Sequence, residues 1–141
     1  MILDASVLLS AFFPDETQEQ AQSVLREHEA GRVLLKAPAL LTYEVTNAVW
    51  QAERRGRISS AQTNEILKAA AGLDIELFPL EWGESLPLAR RFGRSAYDAA
   101  YLTLAERLGE TLITGDLRLY NAVHPALGWV VWIGDYSENM D

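Results

Sequence analysis

Apolar segments alternate with amphipathic ones along most of the chain, and this alternation constrains the fold more than any other feature. Short runs rich in aliphatic residues predict strands, and apolar residues spaced at helical intervals predict helices between them. Successive strands joined by helices pair in parallel, because each helix returns the chain to the same end of the sheet. The sequence therefore predicts an α/β fold with about five parallel strands covered by helices.

The predicted elements leave no room for a second domain or an internal repeat. Strands are expected at 1–3, 33–37, 74–79, 111–114 and 130–133. Helices are expected at 6–13, 18–30, 40–55, 60–72, 84–92, 97–108 and 117–123, with Thr17, Ser59 or Ser60, and Ser95 as caps. A chain of 141 residues, 49% of them hydrophobic, can bury one core. We expect one domain over 1–134 and a flexible acidic tail over 135–141.

Composition excludes several kinds of chemistry. The chain has no cysteine, so disulfides, thiolate metal ligands and cysteine nucleophiles are absent. Its net charge of −8 opposes general nucleic-acid binding, which relies on lysine and arginine, and favours a selective enzyme or a basic partner. Two groups of arginines, at 54, 55 and 57 and at 90, 91 and 94, are each typical of solvated helix ends. With no signal-peptide pattern and no membrane-length apolar run, we expect a cytoplasmic protein.

Four acidic residues lie at junctions between these elements. Asp4 follows the first strand, Glu44 lies in an apolar helix, Asp98 opens a helix and Asp116 follows a strand. Open α/β sheets place their sites at the carboxyl ends of their strands, where three of these acids are expected. Carboxylates brought together repel one another unless a cation neutralises them, and oxygen ligands suit Mg²⁺ or Mn²⁺. The sequence thus predicts a metal site that supports phosphoryl chemistry.

Each acid also has a simpler structural explanation. Asp4, Asp98 and Asp116 are suited to capping helices, and Glu44 could form a salt bridge with an arginine. Only their joint occurrence favours a functional site. Three polar neighbours are candidate supporting residues: Ser6 as a helix cap or as a partner of Asp4, Asn47 one turn beyond Glu44, and Thr114 as a hydrogen-bonding partner of the Asp116 carboxylate.

The ordered motifs Asp4-Ala5-Ser6, Tyr43-Glu44-Val45 with Asn47, Tyr97-Asp98-Ala99-Ala100-Tyr101 and Thr114-Gly115-Asp116 resemble the PIN domain, and within it the VapC-type toxins. The resemblance implies a three-layer α/β/α fold and a magnesium- or manganese-dependent endoribonuclease that hydrolyses RNA with metal-activated water. It further implies the toxin component of a type II toxin–antitoxin pair, with a VapB-like antitoxin and a homodimeric assembly. The catalytic and metal-binding residues it implies are Asp4, Glu44, Asp98 and Asp116, supported by Ser6, Asn47 and Thr114.

Other functions are considered beside this one. A stand-alone PIN nuclease in RNA processing and a non-catalytic PIN-like interaction module share the fold, and the presence of all four acids counts against the second. A receiver domain would need an acidic pair near the first strand and a late lysine, whereas the lysines here are Lys36 and Lys68. A haloacid-dehalogenase phosphatase would need an aspartate where Ser6 stands. The sequence leaves open which RNA is the substrate.

Overall fold

A computed structural model describes residues 1–138 of the chain. Its strands are β1 (Ile2–Leu3), β2 (Lys36–Pro38), β3 (Glu76–Phe78), β4 (Leu112–Thr114) and β5 (Val130–Trp132). Its helices are α1 (Ala5–Phe12), α2 (Glu19–Glu29), α3 (Leu41–Arg54), α4 (Ser60–Gly72), α5 (Leu86–Phe92), α6 (Ala96–Leu108) and α7 (Leu117–Val123). A 3-10 helix, Ile133–Asp135, follows β5.

The five strands form one parallel sheet in the order β3-β2-β1-β4-β5, which confirms the predicted α/β fold. The central strand β1 is only two residues long. It pairs with β2 through Ile2 and Lys36, and with β4 through Ile2–Leu112 and Leu3–Ile113. The ladder to β2 stops early because Pro38 has no N–H to donate to β1.

Helix α6 packs against β1, β2 and β4 and forms the centre of the main core. Its residues 99–105 are all buried, and its alanines allow the helix to approach the sheet closely. A smaller apolar cluster joins the end of α1 to α3 and α4, and consists of Phe13, Val49, Ala52, Ile58 and Ile66. The two clusters together fix the ends of α1, α3 and α6 around the sheet.

Four helices, α2, α4, α6 and α7, begin at a side-chain cap. Ser59 and Ser95 cap α4 and α6 through their hydroxyls, as predicted. The predicted cap at Thr17 is wrong, because the Gln18 side chain accepts the hydrogen bond from the Ala21 N–H at 2.7 Å. Strand β2 lies later than predicted and includes Pro38. It pairs with β3 as far as Pro38 and Phe78, beyond the point at which its pairing with β1 ends.

The end of the chain packs further than the predicted boundary at residue 134. Asp135 ends the 3-10 helix, and Tyr136 is buried against the main core. Residues 139–141 of the predicted tail lie outside the described residues, so the division into a domain and a tail stays a prediction. In residues 1–138 no helix has the length and apolar character needed to cross a membrane.

The α4 cap gives a direct test of these helix boundaries. Ser59 accepts from the Gln62 N–H while the Gln62 side chain accepts from the Ser59 N–H, which makes a capping box. Ser59→Ala should lower the free energy of unfolding by about 1 kcal/mol. Ser60→Ala, one residue later on the exposed first turn, is the matched control and should cost much less. Urea denaturation measures both, and equal losses would contradict the assigned cap.

Candidate active site

The topology brings the four predicted acids to one edge of the sheet. Asp4 directly follows β1, and Asp116 follows β4 as the N-cap of α7. Glu44 lies in the first turn of α3, which begins where β2 ends. Asp98 lies in the first turn of α6, whose other end connects to the start of β4. All four therefore lie toward the carboxyl ends of the strands, where open α/β sheets carry their sites.

Asp4 is the most deeply placed of the four, with 6% of its surface exposed. One of its carboxylate oxygens accepts a hydrogen bond from the Ser6 hydroxyl and the other accepts one from the Thr114 hydroxyl. Burial raises the pKa of Asp4 to about 6, although these hydrogen bonds lower it; the nearby charge of Asp116 adds to the rise. The carboxylate is thus held rigidly at an electrostatic cost.

The two hydroxyls on Asp4 also bind the loop after β4. Ser6 accepts a hydrogen bond from the Gly115 N–H at 2.7 Å, and Thr114 accepts one from the Asp116 N–H at 3.0 Å. A Cβ at position 115 would lie 3.1 Å from the Ser6 hydroxyl oxygen, so glycine permits this close approach. Ser6 therefore contacts Asp4 rather than capping α1. The predicted Thr114 bond to the Asp116 carboxylate is wrong, since the carboxylate that Thr114 contacts is that of Asp4.

Glu44 is half-buried and has a partner that the sequence analysis did not identify. The buried Tyr101 hydroxyl donates a hydrogen bond to the Glu44 carboxylate over 2.5 Å. Burial raises the pKa of Glu44, the Tyr101 hydrogen bond lowers it, and the charge of Asp98 raises it further. The pKa of Tyr101 is raised by burial and by this same bond, so the phenol stays protonated and donates. Tyr101 lies one turn beyond Asp98 on α6, and this spacing is the sequence signal that the two side chains lie on the same face of the helix.

Asp98 is paired with Arg94 rather than engaged in capping with its own side chain. The guanidinium donates to one Asp98 carboxylate oxygen at 3.0 and 3.1 Å, and both side chains are about three-quarters buried. The cap of α6 is instead the Ser95 hydroxyl, which accepts from the Asp98 N–H. The four-residue separation of Arg94 and Asp98 is the sequence signal that predicts such a pair.

Asp116 performs the capping that its position suggests. Its carboxylate accepts hydrogen bonds from the N–H groups of Arg118 and Leu119 at 3.0 and 3.2 Å, and so caps α7. The effect of its charge on the pKa of Asp4 means that the two carboxylates are close enough to interact. Structural capping and a place in the acidic group are thus compatible at this residue.

Asn47 does not have the predicted place beside the Glu44 carboxylate. It is exposed on α3 and lines a surface cavity with Tyr43 and Trp50, whereas Glu44 bonds to Tyr101. No hydrogen bond joins Asn47 to Glu44 within the described part of the chain. The two residues are three apart on the helix, but Glu44 turns toward α6 and Asn47 toward solvent. A supporting role for Asn47 stays a prediction.

The donor groups at this edge fit a hard divalent cation by their chemistry. Every polar side-chain group that surrounds Asp4 offers oxygen, and the buried carboxylate with a raised pKa is one whose charge a cation would stabilise. As they stand, no three acidic or histidine side chains within residues 1–138 lie close enough to hold a metal ion. Asp98 and Glu44 are engaged by Arg94 and Tyr101, and a metal would have to compete with these partners.

Comparison with known proteins identifies the family to which the chain belongs. The family model for the PIN domain matches residues 1–124. Ribonuclease VapC3 of Pyrobaculum aerophilum is 29% identical over 123 residues, covering 84% of this chain and 91% of that protein. Exonuclease VapC9 of the same organism is 35% identical over 80 residues, covering 57% and 60% respectively.

A solved structure gives the same result in three dimensions. The crystal structure of a Pyrobaculum aerophilum protein matches with a TM-score of 0.67 and 27% identity, over 94% of this chain and 90% of that one. The likeness extends over nearly the whole chain, including its all-parallel five-stranded sheet and the flanking helices. The chain belongs to the PIN-domain family.

The raised pKa of Asp4 predicts a pH-dependent stability. Its pKa is about 6 in the folded protein against 3.8 for an unperturbed aspartate. Between these values the folded protein holds a proton that the unfolded chain releases, so metal-free stability falls as the pH rises through this window. Asp4→Asn removes the titration, and its stability relative to wild type should increase between about pH 4 and pH 7, by at most about 3 kcal/mol.

Urea denaturation in EDTA at several pH values measures this difference. The absolute stability of Asp4→Asn also reflects the lost hydrogen bonds, since an amide nitrogen cannot accept from a hydroxyl. The pH dependence is therefore the informative quantity. A difference between the two proteins that stays constant across the window would show that the pKa of Asp4 is not raised by folding.

Proposed function

We propose that the protein is a Mg²⁺- or Mn²⁺-dependent endoribonuclease and the toxin component of a type II toxin–antitoxin pair. The observation that carries the proposal is the network around Asp4, in which a buried carboxylate, two hydroxyls and the loop to Asp116 are fixed at the carboxyl edge of the sheet. Membership of the PIN family and similarity to proteins named as VapC ribonucleases support it.

The proposed reaction is hydrolysis of an RNA phosphodiester. Water adds to phosphorus, the bond to the 3′ oxygen breaks, and a proton is delivered to that oxygen, which leaves a 3′-hydroxyl and a 5′-phosphate. Asp4, Glu44, Asp98 and Asp116 are the residues that would hold a divalent cation, which supplies water activation and neutralisation of developing charge. The 2′-hydroxyl of RNA has no part as a nucleophile in this scheme.

The protein's own residues contribute mainly by holding the acids in place. Ser6 and Thr114 bind the two oxygens of Asp4, so its carboxylate cannot rotate freely. Tyr101 keeps one oxygen of Glu44 engaged and leaves the other available. Arg94 neutralises Asp98 in the absence of other cations. Side chains fixed in this way lose little additional entropy when substrate arrives.

Metal-dependent RNA cleavage is the first test. Purified protein should cleave single-stranded RNA with Mg²⁺ or Mn²⁺ and lose the activity in EDTA, because the site offers carboxylate oxygens and no thiolate ligands. The products should carry 5′-phosphates, which end-group analysis detects. Equal cleavage in EDTA, or 2′,3′-cyclic phosphate ends, would contradict the mechanism.

Two substrates and one set of variants complete this experiment. A circular RNA should be opened, since an endonuclease needs no end; an uncut circle with a degraded linear RNA would indicate an exonuclease.

Amide replacements of Asp4, Glu44, Asp98 and Asp116 should each lower cleavage by at least about a hundredfold while the protein stays folded. Glu65→Gln is the control, because Glu65 is exposed on α4, a helix that carries none of the four acids.

A partner that inhibits the enzyme belongs to the same proposal. A cavity of about 430 Å³ lies between α3, α4 and β3, lined largely by apolar side chains that include Leu41, Val45 and Leu67. An amphipathic segment of a VapB-like antitoxin fits such a groove, and a basic residue on it could pair with Asp98 in place of Arg94. The chain's net charge of −8 would attract a basic partner. The homodimer and the cytoplasmic location stay predictions.

Co-purification with the product of the neighbouring gene tests the partner. The two proteins should form a stable complex that lacks RNase activity. Leu77→Asp, at a half-exposed residue of the groove, should weaken the complex, because a charge would enter an apolar contact. Leu34→Asp, at a more exposed leucine outside the groove, is the matched control. An active mixture with no complex would favour a stand-alone nuclease.

A further inference from the structure

A second cavity opens directly beside the acidic group. It has a volume of about 440 Å³ and lies between α1 and the C-terminal half of α3. Ser6 and Gly115, which carry the hydrogen-bond network of Asp4, form part of its wall. Arg55, at the C-cap of α3, forms another part. One end of the cavity is therefore formed by two residues of the network that holds Asp4.

The two helices give the direction and length of this cavity. Ser6, Ser10 and Phe13 line it on successive turns of α1, and Ala48, Gln51 and Arg55 do so on successive turns of α3. The ends of these two segments lie side by side, because Phe13 packs in the smaller apolar cluster with Ala52, which lies one turn before Arg55. Seven residues of helix span roughly 10 Å, so Arg55 lies roughly that far along the cavity from Ser6.

Arg55 is the cation of this cavity that remains available to a ligand. Arg57 is already bound, with both ends of its guanidinium on Asp15 at 2.7 Å and a further contact to Glu16 at 3.3 Å. Arg54 lies over the Trp50 ring outside the cavity. Among residues 1–138, Arg55 takes part in no ion pair. Gln51 and Ser10 line the same walls, and their side chains can donate hydrogen bonds to phosphate oxygens.

We propose that this cavity is a phosphate-binding subsite for the RNA strand, with Arg55 bound to a phosphate one or two nucleotides from the one that is cleaved. The inference rests on the proposed ribonuclease function and adds to it the path of the substrate. A protein of net charge −8 repels RNA overall, so productive binding needs an unpaired cation at a defined distance from the acids. Guanidinium suits this task because it binds phosphate oxygens in pairs.

A competing explanation for Arg55 is stabilisation of the helix to which it belongs. Arginine at a helix C-terminus interacts favourably with the helix dipole, and that role requires no ligand. Arg26 allows the two explanations to be separated. It is also exposed and lies in the last turn of α2, but it does not line this cavity. Arg26→Gln and Arg55→Gln therefore change the same charge in the same helical context.

The experiment compares these two variants with wild type in cleavage and in binding. Arg55→Gln should raise KM for a single-stranded RNA roughly tenfold with little change in kcat, because a charged hydrogen bond to substrate is lost. In EDTA, fluorescence anisotropy of the same RNA should show weaker binding, and the slope of log affinity against log salt should fall by about 0.7. Arg55→Lys should keep the salt slope and recover only part of the affinity. Arg26→Gln should change none of these values.

The possible results separate this inference from the proposal on which it rests. If wild type cleaves RNA and Arg55→Gln matches Arg26→Gln in KM and in salt slope, the subsite is wrong and the nuclease stands. If both variants lose thermal stability equally and neither loses affinity, Arg55 serves its helix alone and the subsite is again wrong. If wild type neither cleaves nor binds RNA with any divalent metal, the proposed function fails, and the subsite fails with it.

Discussion

The burial of the Asp4 carboxylate at the end of the central strand is the constraint on which the site depends. A buried charge requires partners, and the fold supplies them from two different elements: Ser6 from α1 and Thr114 from β4. The same hydroxyls hold the loop that carries Asp116 through backbone N–H groups. One expensive charge therefore fixes the geometry of three segments, and removing either hydroxyl would leave a buried carboxylate oxygen without its partner.

Each of the other three acids is held by a different kind of partner. Glu44 has a phenol, Asp98 a guanidinium and Asp116 the N-terminus of a helix. These partners differ in how readily they yield to a cation. The guanidinium on Asp98 can be displaced by another positive group with little electrostatic loss. The donors to Asp116 are backbone N–H groups of α7, and they remain in place. The site thus combines a rigid half around Asp4 with an exchangeable half around Asp98.

The sequence predicted the fold and the acids better than it predicted their contacts. Alternation of apolar and amphipathic segments is a property of the chain itself, so five strands, seven helices and the caps at Ser59 and Ser95 were accessible. The partner of Glu44 was not, because Tyr101 reaches it across 57 positions of chain, whereas the Arg94–Asp98 pair is local and has its signal in the four-residue spacing. The different surroundings of Glu44 and Asn47 have the same origin: spacing places two residues on one side of a helix, but packing against α6 decides which of them turns inward.

The short central strand has a consequence for how the protein is made. Residues Ile2 and Leu3 have their main partner in β4, and the Asp4–Thr114 bond spans 110 positions of sequence. A chain emerging from the ribosome therefore exposes its first strand and its most important acid long before their partners exist. Contacts of such long range form late and slowly, because the intervening loop must close first. Incomplete chains that end before β4 have the acids in their sequence but no assembled site.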